Sequence, residues 1–234
     1  MEKSVGILYI CTGKYAAFYE GFKNSIHNFL PSMKKRLYVF TDSLDIKNDD
    51  DAVVIRQEKL GWPYDTLMRY HMFLKIEEQL KIHDYLFFFN ANMVVLDKIE
   101  ESEVIPEEDT DGLVAVLHSS FVNSRGTFET RNESTACLKE NEGQYYYQGC
   151  LNGGETESFL EMCKVLKTNI DTDLSKNIIA VWHDESHMNW YLDKKRVKKL
   201  HPGFSYPEAL NLPYEKRILM FEKGIRGGAH WWRT

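Results

Sequence analysis

A chain of 234 residues with 43% hydrophobic and 13% aromatic side chains has enough apolar surface for one large core, which excludes a disordered polypeptide. A net charge of -6 excludes nucleic acid as the main partner, since binding phosphates asks for a basic stripe. No window approaches the apolar length of a membrane span, and Met1 to Gly6 starts no signal-like segment, so a cytoplasmic protein without a membrane span is expected.

Short apolar runs alternate with helical patterns, without repeats or a Gly/Ser/Pro-rich linker, which predicts a single α/β domain. Val5 to Cys11 is a near-continuous apolar run of the kind a parallel strand needs when both faces are covered. Thr12-Gly13-Lys14-Tyr15 then turns into a helical segment reaching about Phe29, placing small and basic residues where anions bind readily. Leu37 to Phe40 forms a second strand ending in Thr41-Asp42, and Val53 to Ile55 a third. Gly61 to Leu80 reads as helix with Pro63 near its start, and Tyr85 to Phe89 returns the chain to the sheet.

That last strand runs into Asn90-Ala91-Asn92, two carboxamides where many nucleotide-sugar transferases carry two aspartates. Paired aspartates ligate Mn²⁺ or Mg²⁺ because hard cations want anionic oxygen. Asparagine carries no charge, yet it donates N–H bonds to phosphate or sugar oxygens; taken alone, the pattern reads better as a polar turn closing a core strand. Leu113 to His118 is another strand, ending in a histidine and two serines. Ligands of open α/β sheets collect at strand carboxyl ends, where Thr12, Asp42, Asn90 and His118 fall.

Further on, Tyr145-Tyr146-Tyr147 precede Gln148-Gly149-Cys150 and Gly153-Gly154. Aromatic faces beside small residues suit a sugar site, but taken alone the same residues read better as an aromatic strand plus a Gly-Gly helix entry. The next helix keeps Phe159, Met162, Cys163, Leu166 and Ile170 at helical spacing. Trp182-His183-Asp184-Glu185-Ser186-His187 is the densest reactive cluster. Adjacent positions cannot share a face, so Asp184 and Glu185 reach different partners. Two plainer readings stay open: Asp184 capping a helix from about Ser186, with His187 exposed, and a zinc site from His183 and His187, which lacks the HExxH pattern. Cys11, Cys137, Cys150 and Cys163 lack metal-site spacing and read as free thiols, buried hydrophobes at Cys11 and Cys163. Asn132-Glu133-Ser134 matches a glycosylation acceptor only formally.

Taken in order, Thr12 to Tyr15, Tyr38 to Asp42, Gly61-Trp62-Pro63 with Arg69, Phe88 to Asn92, Tyr146 to Cys150 with Gly153-Gly154, and Trp182 to Ser186 resemble glycosyltransferase family 6. That family includes the histo-blood group A and B transferases, and its bacterial members often carry Asn-Ala-Asn. The resemblance implies a GT-A fold, with a Rossmann-like nucleotide-sugar-binding sheet in about 1–112 and the acceptor and donor-sugar part with the C-terminal tail in about 113–234. It implies retaining transfer of galactose or N-acetylgalactosamine from a UDP-sugar to the 3-hydroxyl of a β-galactoside, often α1,2-fucosylated, with no divalent metal.

Carried over by position, Ile10, Cys11, Thr12 and Tyr15 hold uridine, and Trp62, Asp65 and Arg69 lie near the donor. Asn90, Ala91 and Asn92 occupy the metal-motif positions. Gln148, Gly149 and Cys150 flank the donor sugar, Asp184 binds its hydroxyls, and Glu185 is the candidate nucleophile. His118, Thr127, Trp182 and Glu185 contact the acceptor, while Lys223 and Arg226 face the diphosphate. A glycine at the Cys150 position accompanies N-acetylgalactosamine transfer in the blood group A enzyme and a larger residue accompanies galactose transfer in the B enzyme, which leans the expectation towards galactose. Two departures stand out: His118-Ser119-Ser120-Phe121 replaces the family's His-Pro-Gly-Phe, and the tail from Lys223 aligns loosely. The lack of the membrane anchor and stem of animal members agrees with a bacterial cytoplasmic enzyme. The competing functional classes are a non-catalytic sugar-binding protein on a transferase fold and, more remotely, a metal-dependent hydrolase.

Overall fold

The protein is described from a computed structural model covering residues 3–223. Its strands are β1 (Ser4–Ile10), β2 (Lys34–Thr41), β3 (Ala52–Arg56), β4 (Tyr85–Asn90), β5 (Met93–Val95), β6 (Leu113–Leu117), β7 (Tyr147–Glu155), β8 (Lys198–Leu200), β9 (Tyr206–Pro207) and β10 (Ile218–Met220). The helices are α1 (Tyr19–Ser25), α2 (Tyr64–Leu67), α3 (Arg69–Leu74), α4 (Glu77–Leu80), α5 (Glu101–Val104), α6 (Thr156–Ser175) and α7 (Asp184–Leu192).

Seven strands form one sheet in the order β3-β2-β1-β4-β7-β6-β8. β1 pairs in parallel with β2 on one side and β4 on the other, so the order reverses between β1 and β4. Such a switch point opens a crevice beyond the strand ends. β7 runs antiparallel to both neighbours, so the sheet is mixed and not wholly parallel. A second sheet, β5-β10-β9, returns the C-terminal part of the described chain to the turn after β4.

The phenylalanine run of β4 follows from two covered faces. Phe87 and Phe89 enter the core beneath α1 with Tyr9 and Phe22, while Leu86 and Phe88 enter the core beneath α3 and α6 with Phe73, Phe159 and Leu166. Each side chain so buried contributes about 1.5–3 kcal/mol from area removed from water.

Two expected helices are interrupted. The segment after Thr12 is a 3-10 turn over Gly13–Phe18, then α1, then a second 3-10 turn over Ile26–Asn28. Gly61 to Leu80 breaks into α2, α3 and α4, so apolar spacing ran across breaks that it does not encode. In β7, Gly153 and Gly154 serve strand packing and not ligand approach: a Cβ at Gly153 would stand 2.4 Å from Leu86 O, and one at Gly154 2.0 Å from Gly112 O.

Candidate active site

The crevice at the β1/β4 switch point continues into a cleft of about 620 Å³ lined by Trp62, Arg69, Asn90, Asn92, Gln148, Cys150, Trp182, Asp184, Glu185 and Lys223. A small recess of about 80 Å³ beside it adds Ile10, Thr12, Tyr15, Asp65 and Ala91. A larger cleft, about 800 Å³, opens at the amino ends of β1 and β2. It holds solvated charges such as Lys34, Arg36 and Asp50 and lacks the buried acid pair, so the first cleft is the candidate site.

That pair sits on the first turn of α7, where the helix dipole favours negative charge. His183, just before it, has φ 55° and ψ -125°, a conformation L-residues rarely adopt; its ring packs edge-on against Trp62, centroids 4.5 Å apart. Asp184 and Glu185 then diverge as adjacency requires. Asp184 Oδ2 lies 3.0 Å from Arg69 Nε, both side chains 5% exposed. Burial raises the Asp184 pKa, with Arg69 the main opposing influence. Arg69 also donates to Gly149 O at 2.6 Å and lies over the Phe88 ring, locking its guanidinium in a planar seat.

Glu185 is held from two sides. Its Oε1 accepts from Tyr146 Oη and its Oε2 from Gly149 N, both at 2.7 Å. Burial pushes its pKa up to about 7, against the pull of those two donors. A carboxyl balanced there is ready to change protonation near neutral pH.

Asp184 therefore does not cap the helix: α7 starts at Asp184 itself, no side chain caps it, and the acid is taken by Arg69. His187 is buried, not exposed, its Nε2 3.8 Å from Asp173 Oδ2, and burial lowers its pKa to about 4. His183 and His187 thus face different surroundings. Among the described residues no group of three His, Cys, Asp or Glu side chains is placed to hold a metal ion.

Most of the expected donor residues line the cleft or its recess, and Cys11 is the exception. Its side chain is in the core beneath α1, its N–H donates to Phe40 O at 2.9 Å and its carbonyl accepts from Thr41 Oγ1 at 2.8 Å, because it closes β1 against β2. Asp42, at the end of β2, accepts from Gly13 N at 2.7 Å and fixes the turn. Cys150 is buried beside the acid pair, its thiol pushed up to about 12 by burial. Gln148 Oε1 accepts from Ser205 Oγ at 3.0 Å. The Lys223 ammonium lies 5.5 Å from the Tyr15 ring centroid, and burial lowers its pKa with Arg69 adding to the effect. Arg226 lies outside the described residues.

Among the residues expected to contact the acceptor, Trp182 Nε1 donates to Thr127 Oγ1 at 2.6 Å; the Trp182 and Trp62 rings remain half exposed at the cleft mouth. His118 packs against Phe121 and Tyr146, and its Nδ1 accepts from Ser120 N at 3.2 Å, so it also closes a turn. The residue sequence reasoning missed is Tyr146. Its position in a tyrosine run suggested a stacking face, whereas its hydroxyl holds Glu185.

Comparison with known proteins gives a consistent picture. The profile of glycosyltransferase family 6 matches residues 1–226. The chain is 36% identical over 225 residues to the O-antigen biosynthesis glycosyltransferase WbnI of Escherichia coli, covering 94% of each chain. It is 27% identical over 236 residues to globoside alpha-1,3-N-acetylgalactosaminyltransferase 1 of Gallus gallus, covering 94% of this chain and 67% of the relative. It is also 28% identical over 221 residues to histo-blood group ABO system transferase 1 of Rattus norvegicus, covering 88% and 62%.

Proposed function

The chain belongs to glycosyltransferase family 6, and from that premise we propose that it is a retaining, metal-independent α-1,3-transferase that carries galactose or N-acetylgalactosamine from a UDP-sugar to the 3-hydroxyl of a β-galactoside. The observation that carries the reading is the buried acid pair on one helix turn, one member ion-paired with Arg69 and the other held by Tyr146 and Gly149. The intact acid pair, held by Arg69, Tyr146 and Gly149, argues against a decayed, merely sugar-binding protein.

In this reading the nucleotide lies over the β1/β4 switch point, against Ile10, Thr12 and Tyr15, with the diphosphate towards Asn90, Lys223 and Arg226. The sugar projects into the cleft, its hydroxyls on Asp184 and its 2-substituent against Gln148 and Cys150. Trp182, Thr127 and His118 receive the acceptor. As the bond from the anomeric carbon to the β-phosphate oxygen breaks, its electron pair passes to that oxygen, and the lysine and arginine stabilise the charge in a site shielded from water. The acceptor oxygen forms the new bond. Its proton leaves on the departing phosphate in front-face attack, or on a nearby base when Glu185 has first bonded to the carbon and is then displaced. Both routes keep configuration, and both need Glu185 ionised.

The test is UDP release from each UDP-sugar with and without a β-galactoside, fucosylated or not. Acceptor-dependent release with a matching α-1,3-linked product is expected. UDP-sugar binding with no release under any acceptor returns the sugar-binding alternative.

A further inference from the structure

Asn92 stands at the second amide of Asn-Ala-Asn, where a phosphate ligand is expected, and its side chain is engaged elsewhere. β5 pairs antiparallel with β10, Met93 opposite Met220. One step past that ladder, Phe221 N donates to Asn92 O at 2.8 Å and Asn92 Nδ2 donates to Phe221 O at 2.6 Å. Asn92 is 2% exposed, so its end of this two-point grip is buried. The other end of the amide, Oδ1, is buried without a hydrogen-bond partner, and an unprotonated phosphate oxygen brings no proton to satisfy it. Two residues beyond Phe221, Lys223 lines the cleft with Arg69 and Asp184.

We propose that Asn92 is a positioning residue: its amide fastens the segment 221–223 across the switch-point crevice and so delivers the Lys223 ammonium to the diphosphate. The proposal rests on the reading of Lys223 given above. It assigns the carboxamide a purpose beyond the loss of a metal ligand. An aspartate at this position would set a carboxylate oxygen against the Phe221 carbonyl, two acceptors with no proton between them, and would push the segment away. The neutral amide is what lets the segment close.

The experiment is a double-mutant cycle in the full chain with Asn92→Ala, Lys223→Ala and the pair, reading UDP affinity by calorimetry and the KM for UDP-sugar. It is joined by the rate at which an amine reagent labels Lys223, followed by mass spectrometry against an exposed lysine. Asn92→Ala and Asn92→Asp are expected to weaken UDP binding by about tenfold, the double variant by no more than about twofold beyond Lys223→Ala alone, because residues acting as one unit are not additive. Lys223 labelling should accelerate at least about tenfold in both Asn92 variants. Losses that multiply, or unchanged labelling, overturn the proposal. Full UDP affinity in Lys223→Ala, with labelling accelerated in the Asn92 variants, fails the diphosphate reading of Lys223 and leaves only the fastening. Asn92→Ser serves as the second variant if Asn92→Ala does not fold.

Discussion

At Glu185, two donors and a desolvating pocket oppose each other. Because burial sets its pKa near 7 and the proposed reaction needs the ionised form, transfer is expected to fall as pH drops through about 7. Tyr146→Phe keeps the ring packing against Phe121 and Phe128 and deletes a donor that favours the carboxylate, so the acidic limb of the kcat profile should move upward. A limb that stays in place would separate Tyr146 from the acid. Glu185→Gln should keep UDP binding and lower turnover at least about a hundredfold, as for a group acting in the transition state; near-normal turnover would remove Glu185 from the chemistry. The same variant reports on stability. A folded pKa raised above the unfolded value favours folding below the unfolded pKa, an advantage lost as pH rises through the folded one. Relative to the wild type, Glu185→Gln is therefore expected to gain in Tm between pH 5 and pH 8, and a pH-independent difference would contradict the raised pKa.

The supports of α7 are elements remote in sequence. Val181 N, just ahead of the cluster, donates to Glu129 Oε2 at 2.9 Å. Burial works to raise the Glu129 pKa, yet hydrogen bonds from Arg131 and from backbone N–H groups override it and bring the value to about 2. Asp173 on α6 accepts from Ser134 Oγ and Thr135 N. The 125–139 loop that carries Thr127 is thus anchored to α6 and to the approach of α7. Strand spacing matters equally. Gly154 has φ +143°, and a Cβ there would meet Gly112 O at 2.0 Å. Gly154→Ala should force β6 from β7 and lower stability by at least about 2 kcal/mol in denaturant unfolding. A loss below about 0.5 kcal/mol would mean the strands part without resistance.

For the molecule as a whole, the proposed reaction rests on charge at the switch point. Amides stand at the strand end and a lysine lines the cleft, so transfer is expected to survive excess EDTA; complete loss restored by Mn²⁺ would sink the metal-free reading. Donor choice is the second expectation at this scale. In the proposed donor pose the side chain of Cys150, buried beside Glu185, would narrow the space for an acetamido group, and such a clash is typically worth about 1–3 kcal/mol. With both donors at equal concentration, UDP-galactose should be preferred and Cys150→Gly should shift selectivity towards UDP-N-acetylgalactosamine. A wild-type preference for the latter would reverse the assignment.

The strands were legible because burial on two faces leaves an unmistakable apolar run: Val5 to Cys11 and Tyr85 to Phe89 appear as β1 and β4 nearly residue for residue. Trp182 to Glu185 was equally legible as a cluster of reactive side chains, since adjacent acids beside imidazoles make a poor core, and all four line the cleft. Local pattern did not carry the breaks in the helix after Gly61, the antiparallel sense of β7 or the burial of His187, all of which depend on what packs from elsewhere. The apolar setting of Cys11 did show a buried hydrophobe, and its side chain is in the core. Tyr146 and Asn92 mark the limit of local pattern most sharply. Their residue types advertise stacking and phosphate binding, but a hydroxyl and an amide donate to whatever acceptor the fold brings near. Glu185 lies 39 positions from Tyr146 and Phe221 lies 129 from Asn92. The sequence by itself determined β1, β2, β4 and β6 and the acid pair through burial and charge; only the tertiary structure decided the short strands β8 to β10 and the side-chain partners, because pairings and hydrogen bonds across such separations follow from topology and not from neighbours in the chain.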